Sequence, residues 1–252
     1  MSLKVVLFDF NGVILDDEPL HEQLIQETLL SENLRCPVDE VRRFCLGRSD
    51  RACLTDLFHS QGRVLAATYI DKLLQQKATA YQERLQALDP LPIFPGVAEL
   101  VTALQAHSIK LGIVSGARRA EIETVLQRAN LRDAFELIVA TDDISTSKPD
   151  PEGYQQAIAQ FNACDSRLSL RPQDCLAIED SFPGLEAAHH AKIPVVGVAH
   201  TYPFHMMQRR ANWAVDSLAE LEVPRLLEVF SGQREGTSSM RSEALDPTPQ
   251  HG

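Results

Sequence analysis

The 252-residue chain has no apolar run approaching the roughly 20 residues that a membrane-spanning helix needs. The few residues ahead of Val5 leave no space for the apolar segment of a secretory signal. Positive charge is scarce: 24 Lys and Arg stand against 35 Asp and Glu, a formal net charge of -11. Such a field repels phosphate backbones and anionic lipid, and Arg42-Arg43 and Arg209-Arg210 are only pairs, so neither nucleic acid nor a membrane is expected as a partner. The five cysteines (Cys36, Cys45, Cys53, Cys164, Cys175) are odd in number, irregularly spaced and without a C-x-x-C. That argues against a disulfide framework or zinc site, and packed, reduced thiols are expected. No G-x-x-x-x-G-K-[ST] occurs and Ser115 lies outside any G-x-S-x-G, which leaves P-loop and serine-hydrolase chemistry without support. These absences predict a cytoplasmic protein, and the length of 252 residues suits one sizeable domain, or one domain carrying an insertion.

What is present is a change of pattern along the chain. The apolar run Val5-Val6-Leu7-Phe8 reads as a buried strand that delivers Asp9 to its tip, followed by Asn11 and Gly12. Asp16-Asp17-Glu18-Pro19 reads as a helix start, with acidic residues at the positive end of the helix dipole. From there to about Asp89 the spacing is helical throughout, with a break at Gly47 and a long periodic stretch from Val64 to Leu88. The proline-rich segment Asp89 to Gly96 reads as a return. Beyond it, helices alternate with the short β-rich runs Leu111-Val114, Leu137-Ala140, Cys175-Ile178 and Pro194-Ala199, with Trp213-Val215 as a short last strand. That alternation predicts βαβ units and an α/β fold with a mainly parallel sheet.

Four candidate stations each fall at or beyond a strand end: Asp9 and Asn11, Ser115-Gly116-Ala117, Lys148-Pro149, and Glu179-Asp180. Parallel strands put their C-terminal ends on one edge, so all four converge on one crevice. The chemistry is coherent. A carboxylate attacking phosphorus needs neutralisation of its own charge and that of the phosphoryl oxygens. Asp9 and Asp180 offer oxygen ligands suited to Mg²⁺, Ser115 with the Gly116 and Ala117 amides offers an anion cradle, and Lys148 offers a point charge to phosphate.

The stretches Asp9-Phe10-Asn11-Gly12-Val13, Val114-Ser115-Gly116, Ser147-Lys148-Pro149-Asp150-Pro151 and Ile178-Glu179-Asp180-Ser181-Phe182-Pro183-Gly184 occur in the order found in the haloacid dehalogenase superfamily, which the chain resembles over about residues 4–221. The resemblance implies a Rossmann-like core of residues 1–15 and 92–230 and a small helical cap of residues 16–91; residues 231–252, rich in Ser, Gly, Thr and Pro with almost no apolar residues, are expected to form a disordered tail. It also implies a Mg²⁺-dependent phosphatase of a small phosphorylated metabolite. Phosphosugar mutases are close relatives, and a non-catalytic phosphometabolite-binding protein is the alternative. On that reading Asp9 is the nucleophile, Asp9, Asp180 and the Asn11 backbone carbonyl hold the metal, and Ser115, Gly116 and Lys148 hold phosphate. Glu179 orients the lysine or the metal's waters, and the cap loop Gly47-Arg48-Ser49 reads the substrate, with Lys77 pointing inward from the long helix. Arg118 and Arg119 open a helix beside the cradle and are expected to be solvated. His200 and His205 are expected to be surface or packing residues.

One position departs from the pattern. Relatives of this kind carry a second aspartate two residues after the nucleophile, which protonates the leaving oxygen and then activates water. Asn11 stands there instead, and an amide can hydrogen-bond but not exchange a proton as a general acid or base. Such catalysis is worth about 10²- to 10⁴-fold, so a slowed phosphatase is expected.

Overall fold

In the computed structural model, which describes residues 2–232, the first apolar run forms β1 (Val5–Phe8). All four of its residues are buried, as a strand covered on both faces requires. Val5 and Leu7 join one apolar cluster and Val6 and Phe8 another, following the two-residue period of a strand. The chain then leaves the sheet for four helices: α1 (Glu18–Ser31), α2 (Val38–Cys45), α3 (Asp50–Ser60) and α4 (Ala67–Ala87). Ile25, Leu29, Val41, Leu54, Phe58 and Leu73 build a small core within this insertion. Leu24 of α1 and Tyr81 and Leu85 of α4 are instead buried in the main core, so these two helices fasten the insertion to the sheet layer.

The remainder alternates as expected: α5 (Val97–Ala106), β2 (Lys110–Val114), α6 (Arg119–Arg128), β3 (Leu137–Val139), α7 (Glu152–Cys164), β4 (Cys175–Glu179), α8 (Phe182–His190), β5 (Val195–Val198), α9 (Phe204–Gln208), β6 (Trp213–Val215) and α10 (Val223–Ser231). The six strands are all parallel, in the order β3-β2-β1-β4-β5-β6. β1 is central, with Phe8 opposite Ile113 on one side and Ile178 on the other. Because the chain builds outward from β1 to β3 and then crosses to β4, the winding reverses between β1 and β4. A crevice opens there, at the C-terminal edge.

Three local readings change. Cys45, at the end of α2, and Cys53, in α3, form a disulfide with Cα atoms 4.6 Å apart, where free thiols were expected. The turn between the two helices folds back on itself, a closeness that sequence spacing does not show. His205, expected as a surface or packing residue in the loop after the β5 run, lies on α9. Asp17 occupies the N-cap of α1 but makes no side-chain cap bond, because its carboxylate turns inward. Among the described residues, no helix is long and apolar enough to cross a membrane. The expected tail lies outside the described residues beyond 232, while Ser231 still belongs to α10.

Candidate active site

Asp9 directly follows β1, and its N–H donates to the Ile178 carbonyl of β4 at 2.9 Å, so the nucleophile candidate is registered against the strand that carries Glu179. Carboxylate oxygens of Asp9, Glu179 and Asp180 all lie within 4.8 Å of one another, and all three residues are buried. Lys148 places its ammonium 2.9 Å from Asp9 Oδ2 and 2.8 Å from Glu179 Oε1. Tyr154 of α7 donates to the same Glu179 oxygen at 2.5 Å, and the Thr201 hydroxyl donates to Asp180. Gly12 passes directly over the Asp180 carboxylate with φ +76°, where a Cβ would both collide and strain the backbone.

This much buried negative charge perturbs Asp180, Glu179 and the lysine beside them. Burial, then Asp9 and Glu18, push the Asp180 carboxyl well above its ordinary range. Burial pushes Glu179 up to about 8 despite the neighbouring ammonium, and Asp9 adds to the rise. Burial works against the Lys148 charge, but Asp9 and Glu179 outweigh it and hold the ammonium firmly protonated. Glu18, which lines the cavity, is pushed up to about 7, chiefly by burial. Glu179 also keeps one buried oxygen without a hydrogen-bond partner. Close-packed carboxylate oxygens in excess of their cations are a donor set for a hard divalent ion such as Mg²⁺.

Above the cluster lies a cavity of about 600 Å³. Asp9, Asn11, Ser115 and Gly116 line it from the sheet edge, and Gly47 and Arg48 from the insertion. The cap loop is seated on the core: Gly47, with φ +71°, lies against Ser181, and the Arg48 and Ser49 backbone lies against Gly116. The Arg48 guanidinium is turned back to the Phe44 carbonyl at 3.1 Å and to Asp56 at 2.7 Å. Lys77 does point inward, but to His21 Nδ1 at 2.7 Å and Asp50 at 2.8 Å. Arg118 lines the cavity, whereas Arg119 pairs with Asp143 at 2.6 Å. The cradle is smaller than expected. The Ala117 N–H donates to Ser115 Oγ at 3.1 Å, and carboxylates of Glu121 and Asp142 occupy the Arg118 and Arg119 N–H groups. The Ser115 hydroxyl hydrogen and the Gly116 amide remain for an anion.

Several residues of the site went unread in the sequence. His200 lines the cavity, stacked on Phe94 with ring centroids 3.8 Å apart, and its Nδ1 lies 2.8 Å from the Gly12 carbonyl. His21, one turn into α1, lines the same cavity with its Nε2 3.0 Å from Asp17. Tyr154, Thr201 and Asp17 act from behind. A histidine two residues after Asp17-Glu18-Pro19 was the one available signal for this group, and nothing in its spacing marks it as facing a site.

The fold and the edge cluster define a capped α/β hydrolase, and the comparisons agree. The profile described as Haloacid dehalogenase-like hydrolase matches residues 6–198, and the chain belongs to that family. It is 30% identical to Beta-phosphoglucomutase of Bacillus subtilis, over 80% of this chain and 85% of that protein. It is 28% identical to N-acetylmuramic acid 6-phosphate phosphatase of Pseudomonas aeruginosa, over 87% and 92% respectively. Among solved structures, beta-Phosphoglucomutase from Clostridium difficile superposes with a TM-score of 0.78 over 92% of this chain and 98% of that one, at 21% identity.

Proposed function

We propose that the protein is a Mg²⁺-dependent phosphatase of a small phosphorylated metabolite, acting through phosphorylation of Asp9 and slowed by Asn11. The observation that carries this reading is the convergence of Asp9, Glu179, Asp180 and Lys148 beneath a cavity at the sheet's C-terminal edge. Asp9, Asp180 and the Asn11 backbone carbonyl would hold Mg²⁺, which supplies positive charge to the phosphoryl oxygens. Lys148 screens Asp9 from the approaching phosphate, and Glu179 with Tyr154 fixes the lysine in place. Ser115 and Gly116 take the phosphoryl group, and the Gly47-Arg48 loop closes over the rest of the molecule. The two relatives by sequence are named for phosphorylated sugars, which supports that substrate class.

The test is release of inorganic phosphate from aryl and sugar phosphates by the full-length protein, with and without Mg²⁺. Release that needs Mg²⁺ and vanishes in Asp9→Asn is expected. One observation favours a second reading, a phosphometabolite-binding protein without turnover: the side-chain nitrogen of Asn11 is turned to Asp17, at 2.9 and 2.7 Å from its two oxygens, with His21 Nε2 3.1 Å away. Saturable binding of a sugar phosphate without any release would support it.

A further inference from the structure

Asn11 and Asp17 meet where the loop after β1 turns into the first cap helix. Asp17 is buried, with 2% of its surface exposed. Its Oδ1 accepts only from Asn11 Nδ2, at 2.9 Å. Its Oδ2 accepts from Asn11 Nδ2 at 2.7 Å and from Tyr81 of α4 at 2.5 Å, with His21 Nε2 at 3.0 Å. His21 is joined to Lys77, and Lys77 to Asp50 of α3. One buried carboxylate thus ties the active-site loop to the cap through donors on three segments. Asparagine at position 11 is the matching half of this contact, because a carboxylate there would face a second carboxylate at hydrogen-bond distance with a single donor to share, His21 Nε2, which lies 3.1 Å from Asn11 Nδ2 and 3.0 Å from Asp17 Oδ2.

We infer that Asp17 is a positioning residue that holds the side chain of residue 11 at the floor of the cavity, and that positions 11 and 17 form one donor–acceptor unit whose polarity this chain carries reversed relative to an acid–base phosphatase. The inference rests on the phosphatase reading for its catalytic half and stands on its own for the pairing. It predicts that Asn11→Asp alone creates no working acid–base group. The new carboxylate is repelled by Asp17 and driven off its position. Exchanging both restores the contact with the sense inverted. In Asp17→Asn the amide oxygen at the Oδ2 site still accepts from Tyr81 and His21, and the amide nitrogen at the Oδ1 site donates to the carboxylate at position 11, which turns toward it and away from the Oδ2 site that lies 2.7 Å from Asn11 Nδ2 here.

The experiment is a double-mutant cycle on the full chain with Asn11→Asp, Asp17→Asn and both together, read by melting temperature and by kcat and KM. The substrates are p-nitrophenyl phosphate, whose leaving group needs little protonation, and glycerol phosphate, whose alkoxide needs it. Each single variant is expected to lower Tm by about 5–10 °C, as a buried charged or polar group left facing a like partner does. The double variant is expected to recover most of that loss. It is also expected to exceed wild type in kcat on glycerol phosphate by at least about 10-fold, with a smaller gain on the aryl ester and little change in KM, since the acid–base contribution lies in the range of about 10² to 10⁴. Additive Tm losses would overturn the pairing. Recovered Tm without a leaving-group-dependent rise in kcat would overturn the positioning role and leave a structural contact. A single Asn11→Asp variant as active as the double would also overturn it. Wild-type protein and Asp9→Asn, assayed alongside, judge the phosphatase reading separately: it fails if no phosphate release depends on Mg²⁺ and Asp9, whereas the melting cycle still decides the pairing.

Discussion

Replacing Asp180 by asparagine should make the metal-free protein more stable and the metal-loaded protein less responsive. Carboxylate oxygens of Asp9 and Asp180 lie within 4.8 Å, and two unit charges at that separation would repel by about 3.5 kcal/mol at an effective dielectric of 20, a cost the folded protein bears either as repulsion or as the work of keeping Asp180 protonated. An amide removes this repulsion while its oxygen can still accept from Thr201. At about 2–4 °C per kcal/mol for a chain of this size, and allowing for imperfect local fit, the gain in EDTA should be about 5–10 °C. The same substitution removes a proposed ligand, so the rise in Tm on adding Mg²⁺, which follows RT ln(1 + [Mg²⁺]/Kd), should shrink. The pH dependence follows from the raised carboxyls. Asp180 lies well above its ordinary range and Glu179 at about 8, so both are protonated in the folded state at pH values where the unfolded chain has already ionised them. The stability this preserves is present at low pH and is lost as pH rises toward about 8. The Tm gap between Asp180→Asn and wild type, measured by scanning calorimetry in EDTA, should therefore widen from pH 5 to pH 8. A variant less stable than wild type across that range, or one that Mg²⁺ stabilises equally, would refute the reasoning.

Two other outcomes follow from contacts already described. Lys148→Met should lose nearly all phosphate release and cost about 3–5 kcal/mol, because it leaves the buried Asp9 and Glu179 carboxylates without their ammonium; denaturant titration and a phosphate-release assay read the two effects. Opening the Cys45–Cys53 bridge, which spans a sequence separation of 8, should cost about 2.5 kcal/mol on the loop-entropy account. A reductant should therefore lower the Tm of wild type and leave that of Cys45→Ser unchanged.

The sheet and its edge were legible because they are encoded locally. Short β-rich runs separated by helical spacing announce parallel strands, and parallel strands put Asp9, Ser115, Lys148 and Asp180 on one edge whatever the details of packing. The contacts that now govern the reading of Asn11 were not legible, since they depend on side chains arriving from different helices. Asp17 looked like a favourable charge at a helix N-terminus; Tyr81 of α4, 64 residues away, is what draws it inward. Lys77 was expected to point inward, but its partners His21 and Asp50 come from two other helices. Cys45 and Cys53 carry no spacing signature, and only the tight turn at Gly47 brings them together. Arg48 was identified from its loop, while its commitment to Asp56 is a matter of rotamer and neighbour.

With Gly47 resting on Ser181 and the Arg48 peptide against Gly116, the roof of the chamber is backbone where it meets the floor. On the phosphatase reading, a guest bulkier than the cavity of about 600 Å³ has to press against this backbone contact. Selectivity on this scaffold is therefore a matter of headroom as much as of charge, and grafting a longer turn between α2 and α3 should broaden the guests accepted without touching the sheet edge beneath.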